Sequence, residues 1–509
     1  MPRMTAAAAA ARIVRDEGGD TAFGCPDAPG GPLHAALASG GTALPTARHA
    51  QSAAHMADGW ARASGRTGVV VAGAASGPGL VPGLHAAQAD GVPLVCLAAG
   101  SGAPVRAVAK QVLPAASAAR LPWALREAFR TAREGRPGPV LVELPADVDA
   151  EIAYDPAVDG PLPTRSGIPH PPQVAAALEL LLAARRPLLL AGGGVTAADA
   201  GAALRALAGR LRVPFADTPG GRGCAGDGHE LYAGTVGSSP GDQALGTADC
   251  VLAVGTGRAA GLLTGVRTVI QVDAEPSAIG GYGTTTGLGI VADARLFLEA
   301  LHDAALHDAA DDGTERRECA RWARPAGAGA RTPGPRGSGG APVPVGRVHA
   351  ELDAVFGTDA CFVLTEEAYG EWSGALLPVG RPRRLLLGGR GGPPGWAVPA
   401  ALGARVALAA AAPDAVLVGI AAGPGLPPAA EELTVAAEHS VPYVQLLLDR
   451  DERGPDAVRL AEAYGCSGRR ITARDGLRSA LEWARKEAVS TRRPVLVDVL
   501  ARPDEQQNE

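Results

Sequence analysis

The chain has 509 residues, enough for about three domains at ~100–200 residues each and for a large core. Hydrophobic residues make up 47% of it and aromatics only 4%, so that core must be built from Ala, Val and Leu through many small contacts. A formal charge of -6 with no long basic run argues against nucleic acid as the main partner and leaves small molecules or other proteins.

Seven cysteines, Cys25, Cys96, Cys224, Cys250, Cys319, Cys361 and Cys466, are scattered without a CxxC pair. Neither a zinc site nor a disulfide framework is indicated, and buried thiols in a reducing cytoplasm are expected. The apolar run Met4 to Ala11 continues through Arg12, Arg15 and Asp16 as an amphipathic helix does, so it does not read as a signal peptide. No apolar run reaches the length of a membrane span.

From Met4 to Val148 helix and strand patterns alternate, with strands expected at Thr21 to Phe23, Gly68 to Ala72, Leu94 to Leu97 and Val140 to Leu144. That alternation predicts a doubly wound parallel α/β sheet. Between the first two strands lies the block from Ala47 through His49-Ala50-Gln51-Ser52-Ala53-Ala54-His55-Met56-Ala57-Asp58-Gly59-Trp60 to Arg66, which reads as an amphipathic helix with Ala53, Ala57 and Trp60 inward. Ser76-Gly77-Pro78-Gly79 is a turn, and the chain passes quickly from Gly102-Ala103-Pro104 to Leu121.

Proline-rich residues 156–172 suit an extended linker. A second α/β pattern follows: strand Pro187 to Ala191, the glycine turn Gly192-Gly193-Gly194, a helix over Ala197 to Leu211, a strand Val251 to Val254 entering Gly255, and a strand Val269 to Val272 ending on Asp273. Glycines at such turns let a backbone approach a phosphate, although many α/β corners are glycine-rich for packing alone. Residues 304–341 turn charged and then Gly/Pro/Arg-rich, as a flexible linker does.

The last pattern opens near Val345, with a strand at Cys361 to Thr365 and an acidic turn Glu366-Glu367 that favours a helix macrodipole. Ala415 to Ile420 reads as a buried strand, Ala421 to Pro428 as a turn, Ala429 to Glu438 as a helix and Tyr443 to Leu448 as a second strand closing on Asp449-Arg450. A helix over Asp456 to Tyr464 and a strand over Pro494 to Leu500 complete it. The boundaries expected are 1–150, a linker at 151–172, 173–303, a flexible linker at 304–343, and 344–509.

These motifs, together with Ala89-Asp90-Gly91-Val92-Pro93-Leu94, Gly135 to Pro145, His229-Glu230-Leu231 and Gly391 to Gly403, resemble the thiamine diphosphate (ThDP) enzymes, in particular glyoxylate carboligase and acetohydroxyacid (acetolactate) synthase. The resemblance covers nearly the whole chain. It implies three doubly wound parallel-sheet domains in the order pyrimidine-type, middle and diphosphate-type. It also implies an oligomer, a homodimer or homotetramer, since each coenzyme lies between the first domain of one subunit and the third of another.

The resemblance also assigns sites. The family's Glu that helps form the coenzyme ylide falls on Ala50, an apolar position in glyoxylate carboligase too, and His49 and His55 are the nearby proton carriers, with His85 on the following helix. Coenzyme-binding positions are Ser76, Gly77, Pro78, Gly392, Pro394, Gly395 and Arg450. The Mg²⁺ ligands, an Asp and an Asn in the family, fall on Gly423 and Arg450. A middle-domain FAD or ADP would meet Gly192, Gly193, Gly194, Gly255, Arg258 and Asp273.

Changes cluster at the family's coenzyme positions. A diphosphate set beside carboxylates such as Glu366 and Glu367 with no cation meets a repulsion of ~4 kcal/mol per close pair at an effective dielectric of about 20. The reading that follows is a non-catalytic or repurposed relative that lacks Mg-ThDP and carboligase activity and is able to pair with an active homologue. The alternatives are an active 2-oxoacid carboligase or decarboxylase with a metal-poor, Arg-assisted site, and an enzyme that reuses the emptied cleft through a histidine.

Overall fold

A computed structural model describes residues 2–28, 30–100, 102–156, 160–164, 166–226, 228–257, 262–280, 287–307, 342–372, 377–388, 395–450 and 454–502. The chain forms two compact units. One comprises Met1–Thr164, Gly334–Gly374 and Leu386–Glu509; the other comprises Arg165–Pro333 and Ala375–Leu385.

Among its described residues the larger unit holds two parallel sheets and a short antiparallel pair. The first has five parallel strands in the order Phe23–Gly24, Gly68–Ala72, Leu94–Ala98, Pro139–Glu143 and Gln111–Pro114. Its strands are apolar on both faces, as a sheet covered on both sides must be. Val69, Val71, Val95, Leu97, Val140 and Val142 point into one core, with helices Ala6–Asp16 and Leu121–Arg133. Val70, Ala72, Leu94, Cys96 and Leu141 point into the other, with helices Ala50–Ser64 and Gly77–Asp90. That period-two alternation is the doubly wound pattern expected from the sequence.

The second sheet runs Val343–Pro344, Val495–Arg502, Val444–Asp449, Leu417–Ala422, Cys361–Thr365 and Leu385–Gly388, with Ser467–Ile471 also paired to Val495–Arg502. The same apolar core that covers one face of the first sheet continues into helix Ala397–Ala411 and the residues around it. Helices Ala50–Ser64 and Ala397–Ala411 pack with backbones touching. A Cβ at Gly59 would run into the carbonyl of Ala400, and one at Gly403 into the carbonyl of Met56, so glycine at both positions sets the closeness of the crossing.

The smaller unit carries six parallel strands in the order Tyr232–Thr235, Phe215–Asp217, Pro187–Ala191, Cys250–Val254, Thr268–Asp273 and Leu288–Val291. Leu189, Leu252 and Ile270 face one core, while Leu188, Val251 and Val269 face another.

Several elements differ from the sequence reading. The helix expected over Ala197 to Leu211 is two helices, Gly193–Ala197 and Gly201–Leu211. The chain leaves the first through Asp199 at φ 51, and the second begins where Gly201 fits against the carbonyl of Cys224. The helix expected from Ala429 starts at Glu432, preceded by short 3-10 turns at Gly423–Gly425 and Pro427–Ala429. Three prolines without N–H groups lie in that stretch, so an α-helical ladder cannot form earlier. The passage from Gly102 to Leu121 contains a helix, Gly102–Val108, and the edge strand Gln111–Pro114, which the short apolar run did not announce. An antiparallel pair of Arg3–Thr5 with Glu151–Ala153 also went unread.

Candidate functional site

The head of helix Ala50–Ser64 is the first place to examine. Ala50 is its first residue and is buried against the first turn of helix Gly77–Asp90, which takes up the Gly77-Pro78-Gly79 expected as a turn; a Cβ at Gly79 would sit 3.1 Å from the Ala50 Cβ. The fold thus brings together Ala50 and the Ser76-Gly77-Pro78-Gly79 turn. That turn already holds a carboxylate, because Asp27 accepts from Gly73 N at 3.0 Å, Ala75 N at 2.8 Å and Ser76 N at 3.0 Å, and from the Ser76 hydroxyl. Burial pushes the Asp27 pKa up, but the Ser76 hydroxyl and the three amides outweigh it and hold it below the ordinary value.

A second carboxylate sits on the helix head itself. Glu432 is fully buried, and its oxygens accept from Arg48 N at 3.1 Å and His49 N at 3.2 Å. Burial is the largest influence on Glu432 and pushes its pKa up, while hydrogen bonds from Arg48, Ser52 and His49 pull it back only in part. The neighbouring Glu431 pairs with the exposed His49 ring, and Arg48 pairs with Glu438 at 2.6 Å. His49 is therefore a surface residue at the helix start, its ring held against Glu431.

His55 lies further along the same helix in a different environment. It is 1% exposed, neither ring nitrogen has a hydrogen-bond partner, and burial followed by the charge of Arg62 pushes its pKa down to about 3. Arg62 is bound to Asp58, to Asp90 at 2.5 Å and to the Leu387 carbonyl, with its guanidinium 5.2 Å from the Trp396 ring centre. His55 is a neutral packed residue in this network. His85 is exposed on helix Gly77–Asp90.

The third place is the carboxyl end of strands Leu417–Ala422 and Val444–Asp449. Gly423 has no side chain to offer, and the direction its Cβ would take leads to the Asp449 carboxylate, 2.7 Å away. Arg450 Nε lies 2.7 Å from Glu371 Oε1, and its guanidinium is 5.6 Å from the Trp372 ring centre. Gly395, at φ 93, approaches Pro428 and Ala429 in the adjoining turn. Gly392 and Pro394 lie outside the described residues. Glu366 and Glu367 are exposed in the first turn of helix Glu366–Glu371, which Thr365 caps by accepting from Ala368 N at 3.1 Å.

In the smaller unit the glycine turn is used for packing. Cβ atoms at Gly192 and Gly194 would run into Gly255, and the N–H groups of Gly192 and Gly194 donate to Val254 O and Gly255 O, each at 2.9 Å. Asp273 accepts from Gly257 N and Glu275 N, both at 3.0 Å. Gly193 is less crowded, its nearest foreign atom being Gly220 O at 3.5 Å from a built Cβ. Arg258 lies outside the described residues.

Two domain families match this chain. Residues 4–117 match the thiamine pyrophosphate enzyme N-terminal TPP binding domain, and residues 174–301 match the thiamine pyrophosphate enzyme central domain. The chain is 33% identical to glyoxylate carboligase of Escherichia coli O157:H7, over 98% of this chain and 93% of that one. It belongs to the thiamine diphosphate enzyme family. It is also 31% identical to the acetolactate synthase large subunit of Corynebacterium glutamicum, over 99% of this chain and 88% of that one. Among solved structures, a thiamine diphosphate-dependent 4-hydroxybenzoylformate decarboxylase of Rhodococcus jostii RHA1 superimposes with a TM-score of 0.82 at 22% identity, covering 99% of this chain and all of the other. That likeness shows the shared fold.

The family's magnesium and diphosphate can be tested against these residues. A hard dication needs oxygen ligands, and the two positions aligned with its side-chain ligands hold a glycine and a guanidinium that is already ion-paired. Among the described residues no group of three or more His, Cys, Asp and Glu side chains is arranged to hold a metal ion. The residues described at this corner do not fit a magnesium-bound diphosphate.

The sequence pattern does not single out Asp27, Glu371 or Glu432, and marks Asp449 only as the residue on which a strand closes. An acidic residue at a strand end or in a Pro-flanked turn is the signal that would have singled out Asp27 and Asp449. Glu432 has no such local mark. Six cysteines among the described residues are buried, and Cys319 lies outside them.

Proposed function

We propose that this chain is a ThDP-family homologue, similar to glyoxylate carboligase and acetolactate synthase, that lacks Mg-ThDP binding and carboligase activity and serves as a non-catalytic or repurposed paralogue. The carrying observation is the corner where Gly423 faces the Asp449 carboxylate and Arg450 is committed to Glu371. An incoming diphosphate there meets carboxylates first, at ~4 kcal/mol per close pair at an effective dielectric of about 20, with no ligand set to hold a compensating dication. Ala50, packed on the Ser76 turn, adds no proton-transferring group.

Domain limits at 150, 172, 303 and 343, a homodimeric or homotetrameric assembly or pairing with an active homologue, and a cytoplasmic location belong to the same proposal. FAD or ADP in the middle domain is disfavoured by the use of Gly192, Gly194 and Gly255 in packing. The absence of a helix long and apolar enough to cross a membrane among the described residues agrees with a location off the bilayer.

The competing reading is an active carboligase or decarboxylase of a small 2-oxoacid such as glyoxylate or pyruvate. The near full-length similarity to glyoxylate carboligase favours it, and it requires Arg450 to leave Glu371 for a phosphate oxygen. Isothermal titration of the whole protein with ThDP and Mg²⁺ decides between them. No saturable heat is expected, and micromolar binding refutes the proposal. Formation of tartronate semialdehyde, acetolactate or CO₂ with coenzyme present establishes the competitor.

A further inference from the structure

We infer that the anion-seeking groups at the family's coenzyme positions are bound by carboxylates of the chain itself, so that the protein is self-liganded and not simply stripped of metal ligands. This inference rests on the reading that Mg-ThDP is not bound. Three contacts within the larger unit carry it.

The amides before helix Gly77–Asp90 form one such group. Four donors, the N–H groups of Gly73, Ala75 and Ser76 and the Ser76 hydroxyl, converge on the two oxygens of Asp27. Successive backbone N–H groups turned to one point form a nest that selects an oxyanion, and a carboxylate's lone pairs accommodate all four donors. The second is the Arg450 guanidinium, ion-paired to Glu371 at 2.7 Å. The third is the head of helix Ala50–Ser64, where the fully buried Glu432 accepts from Arg48 N and His49 N.

These carboxylates are tethered. The fold holds each of them within hydrogen-bond or ion-pair reach of its donors, so a free phosphate oxygen has to displace a carboxylate already in place. Asp27 is exposed on its turn and Glu371 is half-buried, whereas Glu432 is sealed in the core. The first two are therefore the contacts that substitution can remove with the scaffold intact. With them gone, the amide nest and the guanidinium regain their demand for an anion, and the class of ligand they take is a phosphate or diphosphate without metal.

The test compares the full-length wild type, Asp27→Ala, Glu371→Gln and the double variant by isothermal titration with inorganic pyrophosphate, metal-free and at low ionic strength. The wild type is expected to give no saturable heat. The double variant is expected to gain binding by about tenfold or more over the wild-type limit, weakening with added salt. A folded double variant that binds no better than wild type, or a wild type that binds as well as the variant, overturns the inference. If the double variant does not fold, Glu371→Gln alone must gain pyrophosphate binding that a further Arg450→Gln abolishes, and no gain overturns it equally. The two failures are distinct: wild-type binding of Mg-ThDP defeats the functional reading, while variants that gain nothing for pyrophosphate defeat self-liganding.

Discussion

His55 offers a prediction whose size can be worked from the structure. Its pKa is pushed from 6.5 to about 3, by burial first and by the Arg62 charge second, and both ring nitrogens lack partners. The folded state therefore keeps this histidine neutral where the unfolded chain protonates it. A histidine with a depressed folded pKa contributes stability that is present above pH 6.5 and is lost as pH falls toward 3. The whole window is about 3.5 units, or ~5 kcal/mol at ~1.36 kcal/mol per unit. Between pH 8 and pH 5 the part realised is about 1.5 units, or ~2 kcal/mol. Replacing His55 with Leu removes that linkage. At pH 8 the variant should be as stable as wild type or more so by ~1–3 kcal/mol, since two unpartnered buried polar atoms disappear. Urea denaturation of both proteins at pH 8 and pH 5 supplies the comparison. Other acids titrate in both proteins and cancel in the double difference. The expected outcome is a loss on acidification larger by ~2 kcal/mol in wild type. Parallel pH dependences in the two proteins would falsify the assignment of His55 as a buried neutral residue.

Further outcomes follow from contacts in both units. Arg62→Met should cost ~3–5 kcal/mol in urea midpoint analysis, because the buried Asp58 and half-buried Asp90 carboxylates lose the guanidinium that balances their charge; adding Asp58→Asn and Asp90→Asn should restore much of it. Glu432→Ala should cost ~2–4 kcal/mol by leaving the amides of Arg48 and His49 without an acceptor. Because the folded pKa of Glu432 is raised, its contribution is fully present below 4.5 and declines as pH rises through the folded pKa, so Glu432→Gln should flatten that decline in a pH series of melting temperatures. Gly403→Val should cost ~3 kcal/mol or more by forcing helices Ala50–Ser64 and Ala397–Ala411 apart, whereas Gly209→Ala, in an open helical position, should gain ~0.5–1 kcal/mol in thermal melts.

Much of the architecture is legible in one dimension. Short, nearly continuous apolar runs such as Gly68–Ala72 and Val444–Asp449, punctuated by glycine turns and amphipathic helices, specify parallel sheets because each signal depends only on near neighbours in the chain. Block-wise likeness to the ThDP enzymes follows from the same local segments, and it is that resemblance which assigns the metal positions to Gly423 and Arg450. What the side chains meet was settled elsewhere. Asp27 finds amides 46 to 49 residues away, and Glu432 reaches amides 383 and 384 residues back. No local pattern encodes such a pairing, since it arises only when sheets and helices are stacked. The glycines at 192 and 194 illustrate the same division: their smallness is visible in the chain, but only packing against Gly255 shows that it brings two turns together. His49 and His55, six positions apart, likewise look alike in sequence; burial keeps His55 neutral whereas His49 lies exposed beside Glu431, because the cost of a charge depends on the surrounding medium, which only the folded chain creates.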